Sequence, residues 1–397
     1  MAKTLHSVID KVYSLANLIR ASKRVCDNKG AGGLDGMTVE QWRAHELQNI
    51  RILRRLLLED RYQCRPVKRR YIKKKGSNKL RPLGIPDVSE RVCQMAVVQQ
   101  LQPTFEKLFH KDSFGYRPSR GTQQAADRVE ALRKEGYRFA VDLDIEAFFD
   151  NVDHEIMLRL VRQVVKDRRV LALIRGWLKS GVMEEGKLRY LTSGTPQGGV
   201  ISPLLSNIYL TPFDRTLEAA GYTHVRYADD VVILCRSREE AQSALAVAVE
   251  ALGRLKLRIS AEKTKVTSFQ EAFDFLGFKF KTRSRGIGEK SLKAFYEKVR
   301  EVTKRRQGDR PVGDIITNLN PVVNGWGRYH RVGQNCAIFG QIDKWVRNRV
   351  RAYVRQRWRD RGRNKLLSAE ELAEKGLTSL AYLIRAPRQL SLFRGPP

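Results

Sequence analysis

Two pairs of acidic residues are flanked by apolar residues. Asp142 and Asp144 occur in AVDLDIEAFFDN, and side chains two residues apart project from the same face of a strand. Asp229 and Asp230 lie between HVRY and VVILC, where an Asp-Asp pair suits a tight turn. Taken alone, such a turn is more often structural than catalytic.

If these strands are neighbours in one sheet, three carboxylates converge, and like charges that close together require cations to offset them. Hard oxygen ligands favour Mg²⁺, with Mn²⁺ as a substitute. Two such ions can activate an attacking hydroxyl and stabilise the leaving oxygen of an in-line phosphoryl displacement. The pattern indicates the geometry of a polymerase or a nuclease.

The composition agrees with a nucleic-acid partner. The 397 residues include 75 Lys and Arg against 43 Asp and Glu, a formal net charge of +32, which a polyanion would neutralise; the alternative is a merely basic surface. No apolar run approaches the roughly 18 residues of a membrane span. The five cysteines form no closely spaced pair, which fits a reducing cytoplasm.

The chain divides into three segments. Residues 1–110 begin with a helical pattern and continue through helices to a basic hairpin-like stretch, 71–86. Residues 111–280 alternate strands with helices. Residues 281–397 are helical and carry more than half of the excess positive charge. This order predicts an α+β fold with helices on one face of a sheet. The patterns predict a strand over 139–145, a strand or hairpin over 273–280, and helices over 154–165, 238–255, 291–306 and 338–358.

Several motifs resemble the successive blocks of reverse transcriptases encoded by bacterial group II introns. They are LDGMT (34–38), KLRPLGIP (79–86), FGYRP (114–118), VDLDIEAFFDNVDH (141–154), GTPQGGVISPLLSNIYL (194–210), RYADD (226–230), LRISAEKT (257–264) and FLGFKF (275–280). GWGRYH (325–330) and IDKWVRNRVRAY (342–353) are similar to the thumb of that family, its maturase or X domain. The resemblance implies a right-hand polymerase with an N-terminal extension and fingers (1–110), a ferredoxin-like palm with part of the fingers (111–280) and a helical thumb (281–397).

The resemblance also implies roles for single residues. It makes Asp144, Asp229 and Asp230 the catalytic metal ligands for two Mg²⁺ ions. Asp144 is chosen over Asp142 because Phe149, five residues later, then lies where related polymerases hold an aromatic ring under the nucleotide sugar. Such a ring would exclude a 2′-hydroxyl, although core packing is expected of either Phe149 or its neighbour Phe148.

Around the incoming dNTP, the resemblance places residues that grip the triphosphate or line the pocket. They are Lys74, Arg81, Ile145, Phe149 and Gln197. Triphosphate contacts need Lys or Arg, but Lys73 or Lys75 could replace Lys74. Gly198 and Gly199 would let the backbone approach the substrate; the alternative for this loop is a plain Pro-Gly turn.

Two further blocks are implied to contact template and primer. Phe114, Tyr116 and Arg117 could stack on single-stranded bases, with burial as the alternative. Lys263, Leu276 and Gly277 lie in blocks near the primer terminus, with packing as the alternative. Among Arg347, Arg349 and Arg351, which cannot share one helical face, only some should contact nucleic acid.

The expected partners are an RNA template, in particular a group II intron RNA, a DNA or RNA primer, and dNTPs. We expect a bacterial cytoplasmic protein, nucleoid-associated on DNA, and no second-strand nicking, since no HNH-type nuclease follows the thumb. The sequence leaves open a monomer or a homodimer. It also leaves open three roles: intron splicing and mobility, an RNA-binding splicing cofactor with a dispensable polymerase, or a domesticated enzyme of DNA repair or phage defence.

Overall fold

The computed structural model describes residues 4–73, 80–190, 193–195, 198–304, 310–331, 336–357 and 367–385. It is a mixed α/β structure that divides into two compact units, the first running to Val266 and the second beginning at Thr267. The predicted boundaries after residues 110 and 280 stay predictions. Among the described residues, no helix combines the length and apolarity needed to cross a bilayer.

The first unit contains eleven helices among the described residues. They are α1 (Ile9–Val12), α2 (Leu15–Asp27), α3 (Val39–Ala44), α4 (Glu46–Leu58), α5 (Val88–Phe105), α6 (Thr122–Lys134), α7 (Phe148–Asn151), α8 (His154–Val164), α9 (Arg168–Lys179), α10 (Ser202–Ala219) and α11 (Arg238–Arg254). Its strands are β1 (Val67–Lys73), β2 (Leu80–Ile85), β3 (Phe139–Asp144), β4 (Val182–Glu184), β5 (Lys187–Arg189), β6 (Thr223–Tyr227) and β7 (Asp230–Cys235), and β8 (Lys265–Ser268) leads out of it.

The central sheet has the strand order β6-β7-β3-β8. Residues 231–235 of β7 are all buried, so both faces of this strand are covered. Buried residues of β3 alternate with its two aspartates, as expected of a strand with one face in the core. Helices α10 and α11 pack against this sheet. The predicted helices 154–165 and 238–255 are confirmed as α8 and α11, whose N-caps are Asp153 and Ser237, residue types that satisfy the first free N–H groups.

A second sheet has the order β2-β1-β4-β5. The predicted pair of extended pieces is confirmed: β1 and β2 pair antiparallel, ending with Lys73 opposite Leu80. The connecting residues 74–79 lie outside the described residues. This sheet carries Arg81 opposite Ile72.

The second unit contains a three-stranded sheet and five helices among the described residues. They are β9 (Phe273–Phe275), β10 (Phe278–Phe280), β11 (Arg285–Ile287), α12 (Glu289–Val302), α13 (Val312–His330), α14 (Cys336–Arg357), α15 (Ala369–Glu374) and α16 (Leu380–Arg385). The hairpin predicted over 273–280 and both predicted helices are confirmed, although α12 ends four residues earlier than expected. The apolar stripe of α14 lies in the core of this unit through Ile342, Val346 and Val350.

Of Arg347, Arg349 and Arg351 on α14, the last two form hydrogen bonds within the second unit. Arg349 donates to the side chain and carbonyl of Thr303 at the end of α12, and Arg351 donates to the carbonyl of Leu367 at 2.7 Å. The expectation that only some of the three arginines contact nucleic acid stays a prediction.

Candidate active site

Asp144 and Asp230 lie opposite each other in the antiparallel pairing of β3 with β7. Tyr227 and Asp230 are also paired, between β6 and β7, so Ala228 and Asp229 form a two-residue turn. Asp144 ends its strand and Asp230 begins the neighbouring one. The fold therefore brings the three aspartates to the same edge of the central sheet, which meets the condition that their strands be neighbours.

The charges of these carboxylates interact. Burial raises the pKa of Asp229, Asp144 adds to the rise, and Arg81 and Arg226 oppose it. Burial, with repulsion from the carboxylates of Asp229, Asp144 and Asp142, raises the pKa of Asp230 to about 6. The raised pKa values indicate a crowded acidic site, yet Asp230 keeps solvent-exposed surface through which a cation can reach it.

A lysine already neutralises part of this charge. The ammonium group of Lys263 lies 2.9 Å from Asp144 Oδ1 and forms an ion pair with it. Among the residues that the structure describes, no three carboxylate, imidazole or thiolate groups are arranged as metal ligands. The donor set fits Mg²⁺ in its chemistry, since carboxylate oxygens are the ligands that Mg²⁺ prefers; the assignment of the three aspartates as ligands stays a prediction.

Of the residues expected around the dNTP, Arg81 interacts electrostatically with this edge. It is exposed on β2, and its charge acts on Asp229 and Tyr116. Lys74 and Gln197 lie outside the described residues. Ile145 is buried and belongs to the main hydrophobic core, which argues against a side-chain contact with the nucleotide.

The two phenylalanines after β3 have different environments. Phe148 is 2 % exposed and packs edge-on against Phe149 and Tyr209, whereas Phe149 is only partly buried. The carbonyl of Phe149 accepts a hydrogen bond of 2.7 Å from the backbone of Thr195. Core packing therefore applies to Phe148, and the loop containing Thr195 holds Phe149 in place.

Gly198 is needed for a contact within the protein. Its φ is +117°, and a Cβ atom at this position would overlap the carbonyl oxygen of Gly84 in β2. Both the positive φ and the contact with Gly84 exclude a side chain at this position. Glycine at this position is therefore explained by its close approach to β2, and the expected approach of the Gly198 backbone to the substrate stays a prediction.

The FGYRP block is also corrected. Phe114 is 8 % and Arg117 is 7 % exposed, and Arg117 donates to Glu106 and to the carbonyls of His110 and Ser113. Buried groups with internal partners cannot stack on bases, which argues against their predicted contact with the template. Tyr116 is 45 % exposed and remains the candidate in this block.

Leu276 and Gly277 form the turn of the β9-β10 hairpin in the second unit. Both have positive φ values, +50° and +76°, as a two-residue hairpin turn requires. Tyr329 donates a 2.8 Å hydrogen bond to the carbonyl of Leu276. The predicted role of this turn at the primer terminus, and that of Lys263, stay predictions.

The sequence reasoning missed a buried polar network beneath the Ala228-Asp229 turn. Arg226, Asp214 and Asn207 are all 0 % exposed. A signal was present, because Asp214 occurs within a largely apolar helix, and charged residues are rarely fully buried unless they are paired.

The chain matches two protein families over adjoining regions. Residues 72–280 match the family described as reverse transcriptase (RNA-dependent DNA polymerase). Residues 292–369 match the group II intron, maturase-specific domain.

Curated relatives share these regions. Protein YkfC of Escherichia coli K12 is 31 % identical over 319 residues, which cover 68 % of this chain and 82 % of YkfC. The group II intron-encoded protein LtrA of Lactococcus lactis subsp. cremoris is 29 % identical over 342 residues, covering 69 % of this chain and 56 % of LtrA. The RNA-directed DNA polymerase from mobile element jockey of Drosophila funebris is 28 % identical over 142 residues, 32 % of this chain and 16 % of that protein.

Proposed function

The chain belongs to the reverse transcriptases that carry a group II intron maturase domain, and from this membership we propose that Asp144, Asp229 and Asp230 form its catalytic metal site. As a member of this family it is an RNA-directed DNA polymerase. The observation that carries the site is the register of the central sheet, which sets Asp144 opposite Asp230 beside the turn that presents Asp229.

In the proposed reaction, the 3′-hydroxyl of a primer attacks the α-phosphorus of a dNTP, and pyrophosphate leaves. Asp144, Asp229 and Asp230 would hold Mg²⁺, which would supply the positive charge that activates the hydroxyl and stabilises the leaving oxygen. Arg81 binds the triphosphate through charge-assisted hydrogen bonds, and its electrostatic interaction with Asp229 supports this role. Phe149 closes the pocket beneath the sugar, and Lys74 and Gln197 complete the dNTP contacts.

The proposed architecture is a right-hand polymerase. The first unit supplies the fingers and most of the palm, and the helices that follow β11 supply the thumb. The match to the maturase-specific domain over residues 292–369 supports the thumb assignment. Basic side chains of the thumb would bind RNA through its phosphates, so that affinity falls as salt rises.

The proposed site is tested by removing single carboxylates. Asp229→Ala and Asp144→Ala should each abolish extension of a DNA primer on an RNA template with Mg²⁺, while RNA binding is retained. Asp142→Ala, on the same strand and face as Asp144, is the matched comparison and should retain measurable extension. Retained extension in Asp229→Ala would remove this residue from the site.

We propose an intron RNA as the cognate partner, because splicing roles fit a family that contains the maturase-specific domain. The protein would bind its parent intron RNA, assist its splicing and copy it into DNA. Two other roles remain: a splicing cofactor whose polymerase is dispensable, and a domesticated enzyme of DNA repair or phage defence. A catalytic intron RNA in the DNA flanking the gene would favour the intron role, and its absence would favour the domesticated enzyme.

A further inference from the structure

Arg226 connects the core of the first unit to the turn that presents Asp229. Its guanidinium group makes a two-point ion pair with Asp214 on α10, with Nε 2.7 Å from Oδ1 and the second terminal nitrogen 2.6 Å from Oδ2. The remaining terminal nitrogen donates to the carbonyl of Ala228 at 2.9 Å and to the side chain of Asn207 at 3.0 Å. All three of these side chains are fully buried.

The hydrogen bond to Ala228 constrains the peptide plane that leads into Asp229. Because that plane is rigid, fixing the carbonyl of Ala228 also fixes the N–H of Asp229. This N–H belongs to the residue that carries the carboxylate, so the direction of the peptide plane sets how the Asp229 side chain leaves the turn. The orientation of the carboxylate therefore depends on a bond made by a residue that lies outside the turn.

The turn needs such a constraint. Ala228 has a φ of +58°, a left-handed conformation that is unfavourable for residues other than glycine. The segment 112–115 holds the turn from another side. The N–H of Phe114 donates to the carbonyl of Arg226, and Asn207 donates to the carbonyl of Gly115 at 2.8 Å.

We propose that Arg226 is a positioning residue for DNA synthesis, which acts through the Ala228 carbonyl to hold the carboxylate of Asp229 in its reactive orientation. Asp214 holds the guanidinium group, and Asn207 links it to the backbone of Gly115. This inference rests on the proposed role of Asp229. It goes further because none of these three side chains contacts the substrates.

The test uses Arg226→Lys, which keeps a positive charge beside Asp214 but loses the planar fork that also reaches Ala228. We expect the single-turnover rate of primer extension to fall by about 100-fold, the order of loss caused by a 1 Å misplacement of a reacting group. The Kd for primer–template and the apparent Kd for dNTP should change less than about twofold, since a positioning role leaves binding intact. An unchanged rate per folded molecule, with only a lower melting temperature, would overturn the proposal.

A matched control is Arg169→Lys. Arg169 also joins a carboxylate, that of Asp60, to backbone carbonyls, those of Leu57 and Leu58, and it does so in the same unit. The substitution should lower the melting temperature without lowering the extension rate. An equal loss of rate in Arg169→Lys would show a general effect of destabilisation and would contradict the positioning role.

Ala228→Gly provides a rescue test in a double-mutant cycle. Glycine adopts positive φ readily, so the turn should depend less on Arg226. The loss caused by Arg226→Lys should then shrink by about tenfold, a factor equivalent to about 1.4 kcal/mol. An equal loss in both backgrounds would show that Arg226 does not act through the turn.

Two further variants distinguish a failure of the positioning role from misfolding and from a wrong assignment of Asp229. If Arg226→Lys does not fold, Asn207→Ala carries the test, because it removes one anchor of the network and keeps the ion pair; a rate equal to that of the unsubstituted protein would then contradict the proposal. If Asp229→Ala retains extension, the site assignment itself fails, whatever the result with Arg226→Lys.

Discussion

Replacing Gly115 by alanine would displace the turn that presents Asp229. A Cβ atom at position 115 would overlap the backbone nitrogen of Ala228 and lie 2.9 Å from the carbonyl carbon of Tyr227. Non-bonded carbon atoms are most favourably placed at about 3.5 to 4 Å. The turn would therefore have to move by roughly 1 Å to relieve the overlap.

A shift of that size acts on the residue next to Asp229. Misplacing a catalytic group by about 1 Å can lower a rate about 100-fold, so Gly115→Ala should reduce the extension rate by that order. The assay is single-turnover extension of a labelled DNA primer on an RNA template with Mg²⁺. Binding of the primer–template, measured by fluorescence anisotropy, should remain because the substitution lies beneath the turn.

The matched control is Gly253→Ala in α11. A Cβ atom there meets no atom within 4 Å, and alanine is favoured over glycine in a helix by up to about 1 kcal/mol. This variant should be as active as the unsubstituted protein and equally or more stable. A normal rate in Gly115→Ala would refute the reasoning that the segment before Tyr116 supports the turn.

Two further predictions concern single side chains. Phe149→Ala should raise ribonucleotide incorporation relative to dNTP by roughly tenfold or more, whereas Phe148→Ala should cost about 3 to 5 kcal/mol of stability without changing sugar selection; unchanged dNTP preference in Phe149→Ala would move the sugar contact to another residue. Burial lowers the pKa of His330 from 6.5 to about 4, so the folded state keeps this imidazole neutral while the unfolded chain takes up a proton below pH 6.5. The free energy of unfolding is therefore unaffected by His330 above pH 6.5 and falls by about 3 kcal/mol as the pH drops from 6.5 towards 4. Denaturant unfolding of His330→Gln across this range should lack that fall. The same pH dependence in both proteins would contradict the burial of a neutral His330.

The sequence alone determined the chemistry and most of the elements that carry it. Asp142 and Asp144 alternate with apolar residues, and a strand has a period of two, so their shared face follows from local spacing. The Ala228-Asp229 turn follows in the same way from its flanking apolar strands. The net charge of +32 indicated a nucleic-acid partner, and the spacing of many motifs indicated the family that the comparisons then confirmed.

The tertiary structure decided which of the residues that the sequence singled out are exposed and which are buried. Arg117 resembles a nucleic-acid contact in the sequence, but its partner Glu106 and two carbonyls enclose it. Gly198 is required by a contact that the sequence does not reveal, because Gly84, more than 100 residues away in the chain, lies against it. Arg226 received no role from the sequence because Asp214 becomes its partner only when α10 packs beside β6. Burial and hydrogen-bond partners depend on contacts between distant segments, and periodicity describes only neighbouring residues, so these assignments had to come from the fold.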